Sequence, residues 1–236
     1  MSSSVSSYIQ LTKPRIVLLV LVTAMAALVM EGSLLTRPGQ LLLVLFAITL
    51  VAGSANAFNQ YFERDLDAQM ARTRTRRPLP LAHVSATSAL VFAIGIGVVS
   101  VLLLAVFANA LSAWLALGTI LFYGFGYTLW LKPRTVHNIV IGGAAGAMGP
   151  VIAWAAASGG LTLAPILLFL VIFLWTPPHF WALALGLGCV FVWKAVRARR
   201  LATVRSAWEV FGYSILYLFV LFLGLIADSI WRIPIL

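Results

Sequence analysis

The chain holds six carboxylates in 236 residues, and three of them, Glu63, Asp65 and Asp67, fall within five positions at the end of an apolar run. Four arginines follow, Arg72, Arg74, Arg76 and Arg77. If the apolar run is helical, Asn59, Glu63 and Asp67 stand at i, i+4 and i+8, so their oxygens line one face about two turns long while Asp65 points elsewhere. An oxygen-only set of this kind suits a hard cation such as Mg²⁺, which takes one or two carboxylates and fills its shell with water and substrate phosphate. The arginines would then meet the outer phosphate oxygens through bidentate hydrogen bonds. The chemistry to expect is a metal-diphosphate site at a membrane surface, with Asn59, Glu63 and Asp67 as both catalytic residues and metal ligands.

A plainer reading treats the charges as the water interface of a membrane helix, with Glu63, Arg64 and Asp67 paired to nearby arginines. Two points weigh against it. Asn56 and Asn59 precede the charges, where a polar group in lipid is costly, and a purely topological signal needs arginines but no acids.

The elements that must position these groups are membrane helices. Hydrophobic residues make up 62% of the chain and charged residues 9%, which excludes an ordinary soluble domain. A formal charge of +10 need not mean nucleic acid, because membrane proteins keep lysine and arginine on cytoplasmic loops, and no basic segment has the aromatic or motif context of a nucleic-acid binder. The single cysteine, Cys189, excludes an internal disulfide and reads as a packing residue.

Residues 1–7 read as a short polar tail, and Lys13-Pro14-Arg15 precedes the first apolar run, 16–30. Ala24 and Ala26 have the small-x-small form of a cleavage site, but the run continues and further spans follow, so a retained first helix is expected. Further spans are expected at 41–62, 85–107, 110–131, 137–157, from 163 onward, and 210–230. Gly142, Gly143, Ala144, Ala145 and Gly146 give the fifth a small-residue face for close helix packing. Pro177 and Pro178 are expected to kink the sixth. Seven spans with a cytoplasmic N-terminus place fourteen of the sixteen basic residues on one side, with only Arg37 and Arg232 opposite. The expectation is an all-α, polytopic transmembrane helical bundle, N-in and C-out, with the acidic cluster cytoplasmic.

The segment Asn59-xxx-Glu63-xxx-Asp67, followed by Met70-Ala-Arg72-Thr-Arg-Thr-Arg76-Arg77-Pro78-Leu-Pro80, resembles the first acidic motif of the UbiA superfamily of intramembrane prenyltransferases. Tyr127-Thr-Leu-Trp130-Leu-Lys132, the run from Asn138 to Gly146, and Trp175-Thr-Pro-Pro-His179-Phe-Trp181 are similar to the heme O synthase branch of that superfamily. The likeness covers about residues 11–185. Glu63 stands where an aspartate is more usual, one methylene longer.

The resemblance implies transfer of farnesyl from farnesyl diphosphate to the 2-vinyl group of heme B, giving heme O, with Mg²⁺ as cofactor. It implies a fold of about nine helices around a cavity open to lipid, in the inner (cytoplasmic) membrane. Candidate partners beyond the lipid bilayer are heme A synthase and the terminal-oxidase assembly machinery. Substrate-binding candidates are Arg72, Arg76, Arg77, Lys132 and Arg134 for the phosphates, and His137 and His179 for heme iron or propionates. Phe58, Tyr61 and Trp175 offer aromatic faces to an allylic cation.

A second acidic motif should follow Leu185, but no carboxylate occurs between Asp67 and Glu209. The simplest account is a single domain over 1–236 with an internal deletion near 185–186. Competing readings are an inactive remnant that binds heme or prenyl diphosphate, a related enzyme with a quinone-type aromatic acceptor, and, least favoured for want of other intramembrane charge, a small transporter.

Overall fold

A computed structural model describes residues 5–71, 73–134 and 138–185. The described chain is helical. Helix α1 (Val5–Leu11) is short, and α2 (Pro14–Glu31), α3 (Pro38–Phe62), α4 (Arg64–Gln69) and α5 (Ala86–Phe107) follow it. Then come α6 (Ala110–Leu121), a π-helical segment (Phe122–Leu131), α7 (Asn138–Ser158) and α8 (Leu163–Leu185). Five stretches are long and apolar enough to cross a membrane: Pro14–Glu31, Pro38–Phe62, Ala86–Phe107, Ala110–Leu131 and Ile141–Ser158. Helix α8 covers the sixth expected span, and the seventh lies outside the described residues.

Local chemistry sets the ends. Gly32, at φ 87°, closes α2 by returning its amide to Leu28 O at 2.9 Å, a left-handed cap that glycine adopts without penalty. Ser85 caps α5 by accepting from the Ser88 amide. Asn109 does the same for α6 and donates its amide to Ala155 O at 2.7 Å, fastening the start of α6 to the end of α7.

The long helices alternate in direction. At one end Gln40 reaches Phe107 O and Ser33 reaches Ala157 O. At the other, Lys13, the end of α3, and Lys132 meet. The interior is built from small side chains, among them Ala24, Ala27, Ala47, Ala93, Ala116 and Ala153, all fully buried. Small residues let helix backbones approach where no hydrophobic effect operates between them. Val91, Leu102, Trp114 and Leu174 are turned outward, as a lipid-facing surface requires.

Three differences from the sequence reading stand out. The polar tail is shorter than expected, since a helix begins at Val5. The second span ends at Phe62, the expected bound, but Glu63, at φ −93° and ψ 3°, joins it to α4, so the helical run assumed for the trio is broken at its middle member. The fourth span unwinds into a π-helix over its last ten residues. Its glycines, Gly124 and Gly126, weaken the α conformation, and Thr128 Oγ1 takes the Tyr123 carbonyl at 2.7 Å. Helix α8 runs on through Pro177 and Pro178.

Candidate functional site

Asn59, Glu63 and Asp67 come together despite the joint. The Glu63 amide bonds Asn59 O at 3.1 Å and the Asp67 amide bonds Glu63 O at 2.8 Å, so the i+4 ladder survives across the break. All three side chains are buried, with 2% (Asn59), 7% (Glu63) and 2% (Asp67) of their surface exposed. Asp65 points outward, as its spacing predicts, and pairs only with Arg64 at 3.5 Å.

Asn59 Nδ2 donates to Glu63 Oε1 at 2.9 Å and to Thr128 Oγ1 at 3.2 Å. Lys132 Nζ sits on Glu63 Oε1, and Arg77 is paired to Asp67 Oδ2 while lying 3.6 Å from Glu63 Oε2. Thr73 Oγ1 donates to Asp67 O at 2.8 Å and so turns the arginine-rich loop back over α4. The π-helical segment brings Lys132 and Thr128 to α3. Its wider turn carries the Lys132 amide to Tyr127 O at 2.8 Å, and an atom added at Gly124 would lie 3.4 Å from Phe58. Such segments recur at functional sites.

Lys13 also belongs to the cluster. Its Nζ donates to Asn59 Oδ1 at 2.7 Å. Burial, helped by the nearby Arg77, pushes its ammonium down to about 8. The sequence reading treated Lys13 as a topological charge. The one local hint was its place before Pro14, at a corner between helices.

Among the other expected residues, Arg76 is exposed, and Arg134 donates to Trp130 O at 3.2 Å. Arg72 and His137 lie outside the described residues, as does the side chain of His179. Asn56, read above as a sign of chemistry, is structural: its amide caps Thr12 O at 2.9 Å. Phe58, Phe62 and Phe125 form a ring cluster beside the trio, and Arg64 lies over the Tyr61 ring at 4.8 Å. A cavity of about 700 Å³ opens along the face of α4 that carries Asp65 and Ala68, lined also by His83 and Ser85, and the trio does not line it.

The donor set fits a hard divalent ion. Among the described residues no three His, Cys, Asp or Glu side chains converge, so a metal would take two carboxylates and one amide oxygen from the protein. Lys132 and Arg77 stand on the carboxylate oxygens where a divalent ion would bind, and Lys13 stands on the amide oxygen. Three cations thus face two carboxylates, an excess of positive charge that favours an anionic ligand.

The chain is similar to known proteins along most of its length. A protein named protoheme IX farnesyltransferase from Clavibacter michiganensis subsp. michiganensis is 44% identical over 229 residues, covering 93% of this chain and 74% of the relative. One of the same name from Synechocystis sp. is 49% identical over 185 residues, 78% of this chain and 58% of the relative. A solved structure of a UbiA homolog from Archaeoglobus fulgidus, bound to DMAPP and Mg²⁺, superposes with a TM-score of 0.57 over 96% of this chain and 85% of that one, at 16% identity. That likeness is one of fold. The model of the UbiA prenyltransferase family matches residues 20–235, and the chain belongs to that family.

Proposed function

We propose that the chain transfers farnesyl from farnesyl diphosphate to the 2-vinyl group of heme B, giving heme O, at the inner face of the cytoplasmic membrane. The observation that carries this reading is the buried Asn59–Glu63–Asp67 trio ringed by Lys132, Arg77 and Lys13. The relatives' shared name supports farnesyl as donor group and protoheme as acceptor. The cytoplasmic placement is supported by charge. Among the described residues, Lys13, Arg64, Arg77 and Lys132 gather at the end that carries the trio, and only Arg37 lies at the other.

The carbon–oxygen bond to diphosphate must ionise, and negative charge grows on the leaving oxygens. Mg²⁺, held by Asn59, Glu63 and Asp67, would supply charge neutralisation at those oxygens. Lys132 and Arg77 hold the phosphates as they leave the carboxylates, and Arg72, Arg76 and Arg134 are the outer phosphate contacts in this reading. In this reading the Phe58, Phe62 and Phe125 rings, which pack on one another, keep water from the allylic cation and offer it π-faces. His179 and His137 serve the heme. Heme A synthase and the oxidase assembly route are the partners that would take the product.

One observation favours a second reading, a chain that binds prenyl diphosphate or heme without turning it over. No carboxylate lies between Asp67 and Glu209, which we attribute to an internal deletion near 185–186 of a single domain. Mass analysis of porphyrins from cells expressing the chain separates the two. A farnesylated porphyrin, absent with Asp67→Asn, supports the enzyme; retained heme with no farnesylated product supports the binding protein.

A further inference from the structure

Lys13 is the cation that the two carboxylates do not explain. Lys132 sits on Glu63 and Arg77 on Asp67. Among the described residues the ammonium of Lys13 has one hydrogen bond, to the neutral amide oxygen of Asn59 at 2.7 Å. An ammonium buried beside Arg77 and Lys132, with Glu63 and Asp67 near but neither in direct contact, is unfavourable, and a chain with no use for it would let so flexible a side chain swing to water.

The fold instead fixes it in place. Gln60 Nε2 bonds Gln10 O at 3.1 Å and Leu11 O at 3.0 Å, and Asn56 Nδ2 bonds Thr12 O at 2.9 Å. Three consecutive carbonyls at the end of α1 are therefore held by α3, one turn from the trio. Lys13 follows at φ 53°, a left-handed backbone that costs about 1 kcal/mol in a residue other than glycine. The corner and its strained lysine are built to bring Nζ to Asn59.

We infer that Lys13 is a substrate-binding residue, whose ammonium contacts an oxygen of the diphosphate carried by the prenyl donor. The inference rests on the reading of the trio as a diphosphate site. An ammonium has three donors, and the bond to Asn59 uses one, so the same group can hold Asn59 in orientation and bind an anion. The α3 amides Asn56 and Gln60 act through it as positioning residues.

The test is calorimetric titration of the full chain, in neutral phosphatidylcholine nanodiscs, with inorganic pyrophosphate and Mg²⁺. Lys13→Met and Lys13→Gln should each weaken binding about tenfold or more, the loss of one charge-assisted contact, and Lys13→Arg should stay within about threefold of wild type. Lys13→Gln keeps a donor for Asn59 and removes only the charge, so it decides the matter even if Lys13→Met fails to fold. Wild-type affinity in Lys13→Gln would overturn the inference and leave Lys13 as a strut for Asn59. Failure of the wild type itself to bind pyrophosphate would overturn the diphosphate reading, and the role of Lys13 with it.

Discussion

Lys132, at the end of the π-helical segment, is seated on Glu63, 69 positions earlier in the chain, and this contact joins the fourth span to the end of α3. The pair is lopsided. The Glu63 side chain is 7% exposed and that of Lys132 35%, so the lysine can reach water and the carboxylate cannot.

Removing Lys132 should therefore harm stability more than the pair's own worth. Lys132→Met leaves Glu63 with Arg77 and Asn59 only, and should lower stability by about 1–3 kcal/mol. Adding Glu63→Gln should restore most of the loss. Thermal unfolding of the four forms in nanodiscs closes the cycle, and a double variant no better than Lys132→Met would contradict the pairing.

Asp67→Asn should cost turnover more than it costs the fold. It leaves Arg77 3.6 Å from Glu63 Oε2 and Thr73 bonded to the Asp67 backbone carbonyl, and should still fold. Turnover of farnesyl diphosphate should fall by about a hundredfold or more, measured on equal amounts of folded protein.

The small-residue face of α7 gives a packing prediction. A methyl added at Gly149 would lie 2.8 Å from Val20 Cγ1 and 3.2 Å from the Val20 carbonyl, whereas one at Gly146 meets nothing within 4 Å. Gly149→Ala should lower stability by about 1–3 kcal/mol, while Gly146→Ala should be neutral or slightly stabilising, as alanine favours helix. Equal unfolding temperatures for the two variants would argue against close α2–α7 packing.

Much of the site was legible because its contacts are local. Spacings of four named Asn59, Glu63 and Asp67, and Arg77 lies only ten positions from the acid it meets. What the spacing could not show was distance in sequence. Lys13 is 46 residues from Asn59, and nothing in a Lys-Pro-Arg run before an apolar stretch distinguishes a site residue from a topological charge. Asn56 failed the other way. A polar side chain in an apolar run looks functional until the carbonyl it caps, Thr12 O, is visible. The break at Glu63 was hidden for a third reason, since the i+4 ladder continues across it. The helices themselves were clear because the lipid requires long apolar runs, and the starts at Ala86, Ala110 and Leu163 fell within a residue of expectation.

The central claim is that Asn59, Glu63 and Asp67 hold a divalent ion through which diphosphate is bound. Its most direct test uses Mn²⁺ in place of Mg²⁺, with bound metal read by electron paramagnetic resonance as inorganic pyrophosphate is added to the chain in nanodiscs. The account predicts a protein-bound Mn²⁺ signal that grows with pyrophosphate and is lost in both Asp67→Asn and Glu63→Gln. A signal of equal strength in the wild type and in both variants would contradict it.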